Sequence, residues 1–245
     1  MNAGFTAPPR SGIELVLVDF DDTIVETAPR FQNARRRLFD MLVAHGFEPD
    51  ACEQVHHHEV DPVMLGRFGL GPARLVHSFP ETYRRLCVAM GRTPDDATVG
   101  ELVALAHSVA GTPPLLEGAL DALGRLAREL PTMVYTQAGD VEYQLGCLRE
   151  AGVLDVVGEA RVVVTDVKTG ARLRETLDLL GVERAERAWM IGNSIRSDVN
   201  PALEVGANAI LIEIDDPWHH DEVEPLRAGF PVVRSLSEAA TLLLG

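Results

Sequence analysis

From residue 117 to the C-terminus, helix-length segments alternate with short apolar runs rich in β-branched residues. The pattern predicts helices at Glu117–Glu129, Val141–Ala151, Gly170–Leu180, Asn200–Val205 and Leu236–Leu244. Between them it predicts strands at Thr132–Thr136, Val162–Thr165, Ala188–Gly192, Ala209–Ile214 and Val232–Val233. Strands spaced by helices run parallel, and their near-continuous apolar character requires cover on both faces. One more such run, Ile13–Phe20 (IELVLVDF), stands far upstream. The intervening block holds helix-like stretches at Pro29–His45, Ala51–His58, Pro72–Met90 and Val99–Val109, broken by glycine and proline, and ends in the linker Gly111-Thr-Pro-Pro114. The expected architecture is therefore α/β: a Rossmann-like parallel sheet with helices on both faces and an α-helical domain inserted after strand 1. Residues 1–12 read as a loose tail, 13–27 and 113–245 as the core, and 28–112 as the insert.

Charge narrows the partners. Lys plus Arg number 22 against 37 Asp plus Glu, a formal charge of −15. That sign repels phosphate backbones, so nucleic acid is not an expected partner. It leaves phosphate esters open, because a divalent metal can reverse the sign locally. No apolar run reaches the roughly 18–20 residues that span a bilayer, and the polar N-terminus lacks the layout of a signal peptide. The three cysteines, Cys52, Cys87 and Cys147, are odd in number and far apart, which points to reduced thiols in the cytoplasm.

In an open parallel sheet, sites form beyond the C-terminal strand ends. Strand 1 ends in Asp19-Phe-Asp21-Asp22-Thr23, the next in Thr136, and the third is followed by Asp166 and Lys168; Asn193, Ser194 and Asp198 follow the fourth. Acids, a hydroxyl, an amine and an amide are thus collected on one edge. Two carboxylates spaced i, i+2 off a strand can divide the roles of nucleophile and proton donor or acceptor. Clustered acids favour a hard cation such as Mg²⁺, and a lysine and a threonine opposite them suit the oxygens of a transferring phosphoryl group.

With these residues in place, the chain resembles a phosphatase of the haloacid dehalogenase superfamily, of the kind with a helical cap after the first strand. The resemblance rests on LVLVDFDDT, MVYT, VTDVKTG and WMIGNSIRSDVNPALEVGANAI, in that order, and spans residues 13 to 244. It implies that Asp19 attacks phosphorus and forms an aspartyl-phosphate. Asp21 would protonate the leaving oxygen and then activate water, while Thr136 and Lys168 hold the phosphoryl oxygens. Mg²⁺ would be held by Asp19, the backbone carbonyl of Asp21, and Asn193 or Asp198. The substrate class implied is a small phosphorylated metabolite, with the cap closing over it. Many relatives carry Gly-Asp-Ser where this chain has Gly192-Asn193-Ser194; Asn193 offers an oxygen but no charge, so Asp198 gains weight as the acid.

Alternatives stay open. A 2-haloacid dehalogenase on the same fold needs no Mg²⁺ and no second acid, against which Asp21 stands. A phosphonate-cleaving relative would need a cap lysine, and residues 28–112 contain none. A non-catalytic binding protein would be favoured only by Asn193. Asp198 also suits the first turn of a helix. His56-His57-His58 reads as an exposed cap segment, since consecutive helical residues do not share a face. Trp218-His219-His220-Asp221-Glu222 reads as a surface loop near the site edge. Phe68, Phe79 and Tyr83 read as cap core, and the cap arginines, Arg30 and Arg74 among them, as mostly solvated.

Overall fold

A computed structural model describes residues 12–215 and 223–245. The tail before Gly12 and the segment Trp218–Glu222 lie outside the described residues. Six strands form one parallel sheet: β1 (Leu15–Val18), β2 (Thr132–Gln137), β3 (Val162–Thr165), β4 (Ala188–Gly192), β5 (Asn208–Ile212) and β6 (Val232–Val233). Their order is β3-β2-β1-β4-β5-β6. Val18 pairs with Val134 on one side and Ile191 on the other. β1 is therefore central, and the strand order reverses beside it, which is where open α/β sheets place their sites.

The helices are α1 (Ala28–Ala44), α2 (Pro49–Gln54), α3 (Asp61–Phe68), α4 (Ala73–Ala89), α5 (Asp96–His107), α6 (Ala119–Glu129), α7 (Val141–Glu150), α8 (Val153–Val157), α9 (Gly170–Leu179), α10 (Asn200–Glu204) and α11 (Leu236–Leu244). The chain divides into two compact units: one runs through Ala28 and takes up Thr112–Gln137 and Val141 onward, and the other is Pro29–Gly111 with Ala138–Asp140.

In the first unit, alternation along β1 sends Val16 and Val18 to one face and Leu15 and Leu17 to the other. The first face packs on Ala122, Leu123 and Leu126 of α6 and on Ala239, Ala240 and Leu243 of α11. The second packs on Leu173 and Leu177 of α9 and Ala202 of α10. Each fully buried leucine stabilises this arrangement by about 1.5–3 kcal/mol. The two chain segments flanking the insert lie side by side within this unit. Val25 bridges Leu115 in antiparallel fashion, Glu26 N–H donates to the Pro114 carbonyl at 2.8 Å, and Leu116 N–H donates to the Ile24 carbonyl at 2.9 Å.

The second unit has its own core, built on Leu38 and Leu42 of α1, Leu75, Phe79, Tyr83 and Leu86 of α4, and Leu102 and Leu105 of α5. Phe68, expected in that core, is instead 37% exposed and stacks on His77. Between α2 and α3 the backbone widens into a π turn, Val55–Val60. This turn corrects the reading of the histidine run, because His56 is fully buried. Its Nδ1 lies 3.0 Å from Thr82 Oγ1, and Thr82 donates its own proton to the Ser78 carbonyl at 2.8 Å, so His56 Nδ1 is the donor. Arg30, expected in solvent, donates to the carbonyls of Val109, Ala110 and Gly111 and closes the unit's base. Arg74 is buried 3.4 Å from Asp61. Among the described residues, no helix is long and apolar enough to cross a membrane.

Candidate active site

The loop after β1 turns sharply. Asp19 N–H still donates to the Ile191 carbonyl at 2.9 Å, so Asp19 extends the ladder with β4. The chain then curls: Ile24 N–H returns to the Phe20 carbonyl at 2.8 Å, and Asp22 stands at φ 56°, the one non-glycine residue described with positive φ. Aspartate tolerates that region because its short side chain can bond locally. Here the Asp22 carboxylate accepts the N–H groups of Thr27 and Ala28, each at 2.8 Å. Burial nevertheless pushes the Asp22 carboxyl up to about 6.

Two side-chain networks occupy the edge. In the first, Lys168 Nζ lies 2.5 Å from Asp19 Oδ1 and 2.7 Å from Asp198 Oδ1, with all three residues buried. Burial raises the Asp19 carboxyl well above the usual carboxylate range; Lys168 opposes this, and the charges of Asp198 and Asp21 reinforce it. Burial likewise disfavours the Lys168 cation, but Asp19 and Asp198 together outweigh it and hold the ammonium protonated. A neutral Asp19 would forfeit a contact that the geometry makes short, so the ionised pair is the state this arrangement supports.

Neighbouring residues fix each member of this network. Gln137 accepts Lys168 N–H at 3.2 Å and donates to the Asp166 carbonyl at 3.0 Å, which pins the loop that presents the lysine. Asp198 sits in a second π turn, Ile195–Val199, and its Oδ2 accepts Ser194 N–H at 3.0 Å. The carboxylate lies so close to Gly192 that a Cβ there would collide with it. Asn193 follows β4 at the same edge and is half-buried. Among the described residues, no hydrogen bond or ion pair joins it to Asp19, Lys168 or Asp198.

The second network holds Asp21. Thr27 Oγ1 donates to Asp21 Oδ1 at 2.6 Å. Gln144 Nε2 donates to Asp21 Oδ2 at 2.8 Å and to Thr136 Oγ1 at 2.9 Å. Of the residues read as catalytic, Asp19 and Lys168 thus fall in one network and Asp21 and Thr136 in the other. Sequence reasoning passed over Gln144 and Gln137. The signal for Gln144 was present: it shares the inward face of α7 with Cys147 and Leu148, where a polar side chain is unexpected.

A sequence profile of haloacid dehalogenase-like hydrolases matches residues 13–206, which takes in both networks. The chain belongs to this family. No curated protein matches its sequence. A haloacid dehalogenase-like hydrolase from Xanthomonas campestris superposes with a TM-score of 0.74 at 21% identity, covering 95% of each chain. The L-2-haloacid dehalogenase of Xanthobacter autotrophicus, with chloropropionic acid covalently bound, gives 0.54 at 14% identity over 95% of this chain and 99% of its own. A phosphatase of the family from Thermococcus onnurineus gives 0.55 at 20% identity over 94% and 98%. At these identities the likeness is one of fold, and it is shared by members with both chemistries.

The donor set of this family member fits a hard divalent cation. Asp19 and Asp198, both buried, share the ammonium of Lys168, and Asp21 adds a third carboxylate at the same edge. Two ionised carboxylates on one ammonium leave negative charge in a buried setting, which a cation would offset. Among the described residues, no three His, Cys, Asp or Glu side chains form a ready-made metal cage. An ion would therefore rely on one or two carboxylates together with neutral oxygens.

Proposed function

We propose that this hydrolase cleaves a small phosphomonoester in the cytoplasm, with Mg²⁺, through an aspartyl-phosphate on Asp19. The observation that carries the reading is the separate anchoring of two carboxylates. Asp19 is tied to Lys168 at 2.5 Å, whereas Asp21 is held by the neutral donors Thr27 and Gln144. Carboxylates in different environments divide nucleophilic and acid–base roles. Dehalogenation through an aspartyl ester expels a halide, which needs no proton, so the second carboxylate would have no acid role there.

In this mechanism an Asp19 carboxylate oxygen attacks phosphorus as the P–O bond to the alcohol breaks. Asp21, protonated at that moment, transfers its proton to the leaving oxygen. The resulting Asp21 carboxylate then takes a proton from water as that water attacks phosphorus, which releases phosphate and restores Asp19. Lys168 and the Thr136 hydroxyl face the phosphoryl oxygens and offset their charge. Asp19, the Asp21 backbone carbonyl, and Asn193 or Asp198 would hold Mg²⁺, whose role is to neutralise charge on those oxygens.

The test is phosphate release from p-nitrophenyl phosphate, followed by a panel of natural phosphate esters. Measurements are made with Mg²⁺, with EDTA, and with an Asp19→Asn variant. Loss of activity in EDTA and in the variant supports the reading. Release that survives Asp19→Asn refutes it, as does silence across the whole panel together with halide release from a 2-haloacid.

A further inference from the structure

Gln144 is a buried amide on α7, 5% exposed, whose one nitrogen serves both halves of the acid–base network. Gln144 Nε2 donates to Asp21 Oδ2 at 2.8 Å, and that bond fixes which end of the amide faces inward. The same NH₂ group then reaches Thr136 Oγ1 at 2.9 Å. An NH₂ group has no acceptor, so in that contact the threonine oxygen must accept. The Thr136 proton is thereby turned away from Gln144. Thr136 is fully buried near the end of β2, on the same sheet edge that carries Asp19 and Lys168.

We infer that Gln144 is a positioning residue that sets the polarity of the Thr136 hydroxyl, making it a donor to the phosphoryl oxygens, while fixing Asp21 through Oδ2. This inference rests on the phosphoryl-transfer reading of the site. It also assigns Thr27 the complementary task, because Thr27 occupies the other Asp21 oxygen at 2.6 Å. Thr27 and Gln144 thus each hold one Asp21 oxygen, and of these two donors Gln144 also acts on a second functional group.

The two tasks separate in the kinetics. The Thr136 hydroxyl governs how tightly a phosphoryl group is held, read from KM and from competitive inhibition by inorganic phosphate. Asp21 governs proton transfer, read from kcat. Two variants probe the amide: Gln144→Met keeps length and removes the donor, and Gln144→Glu keeps shape and replaces the donor with an acceptor that would capture the Thr136 proton. A hydroxyl bonded to a charged oxygen corresponds to a factor on the order of 10–100. Thr136→Val is therefore expected to weaken phosphate inhibition by that factor, Gln144→Met by about half of it on a logarithmic scale, and Gln144→Glu by more than Gln144→Met. In the Thr136→Val background, Gln144→Met should add less than about threefold to the phosphate constant, because the hydroxyl it orients is already gone. Equal melting temperatures across the variants would confirm that folding does not account for the losses.

Multiplicative losses in phosphate affinity, or a Gln144→Glu variant that binds phosphate as tightly as the parent, would overturn the assignment. If the parent enzyme releases no phosphate from any ester and releases halide from a 2-haloacid, the phosphatase reading fails. Direct titration of the parent and both Gln144 variants with inorganic phosphate still decides the role of Gln144: weakened binding supports it, and unchanged binding rejects it.

Discussion

Gly192 stands at the end of β4 because Asp198 folds back over it, and replacing it with alanine tests how firmly that carboxylate is held. A Cβ at position 192 meets Asp198 Oδ2, Cγ and Cβ, each nearer than atoms in contact normally approach. The φ angle of Gly192 is not in the left-handed region, so alanine brings no backbone strain and the collision alone is measured. The carboxylate must move, and in moving it gives up the 2.7 Å bond from Lys168 Nζ and the 3.0 Å bond from Ser194 N–H. Asp198 is 1% exposed, so water does not replace these partners. Losing them, while Lys168 keeps Asp19, costs about 2–4 kcal/mol. For a chain of this size, that lowers Tm by roughly 5–15 °C. Gly170→Ala is the matched control. A Cβ there overlaps the Glu204 carboxylate just as severely, but Glu204 is exposed and can swing into solvent, so the cost stays below about 1 kcal/mol. Urea unfolding followed by the fluorescence of Trp189, buried in the same strand as Gly192, reads both variants. If Gly192→Ala is as stable as Gly170→Ala and keeps the parent's hydrolase activity within about twofold, Asp198 is not confined as described.

Other consequences can be measured separately. Lys168→Met leaves the Asp19 and Asp198 carboxylates facing each other without a cation and should destabilise the protein by about 3–5 kcal/mol; Mg²⁺ should recover part of that loss in a thermal melt, and no recovery would count against metal binding at this edge. Asn193→Asp adds an acid beside the other carboxylates and should lower the Mg²⁺ concentration for half-maximal activity on the order of 10-fold; an unchanged requirement would place Asn193 outside the metal's ligands. His57 is held below its usual range by burial and by the Arg35 guanidinium, so the unfolded chain takes up the proton first as pH falls. Stability present above the unfolded value near 6.5 is then lost below it, and His57→Gln should flatten the fall in Tm between about pH 7 and pH 5; parallel slopes would contradict this. Ser235 caps α11 by accepting Glu238 N–H at 3.2 Å, and Ser235→Ala should cost about 1 kcal/mol in chemical unfolding.

The sheet was legible because its signal is local. Ile13–Phe20, Thr132–Thr136 and Ala188–Gly192 are apolar on both faces and bounded by acids or turns, and β1, β2 and β4 fall within a few residues of those spans. Site candidates were legible for the same reason, since a strand end fixes where the next side chain goes. The reading failed where a residue's environment depends on distant partners. His56 looked exposed because nothing in its neighbourhood in the sequence announces Thr82 as the group that satisfies its ring. Gln144 stands out in the sequence only as a polar residue on the apolar face of α7; its role arises from Asp21 and Thr136, which only the sheet brings to it. α3 was hidden because Asp61-Pro62 begins it and Gly66 interrupts its apolar pattern, so the segment resembled a break.

The neck of the helical insert carries a consequence for chain entropy. Closing a free loop of this length costs about 4 kcal/mol, and each doubling adds only about 0.6 kcal/mol. In this protein the closure is made within the core, by the Val25–Leu115 bridge and its two flanking hydrogen bonds, and again at the base of the insert by the Arg30 guanidinium. Once the neck is formed, the length and sequence of what lies beyond it weigh little on the stability of the sheet. The insert can therefore diverge, lengthen or be exchanged for another while β1, and the two carboxylates it delivers, stay where they are.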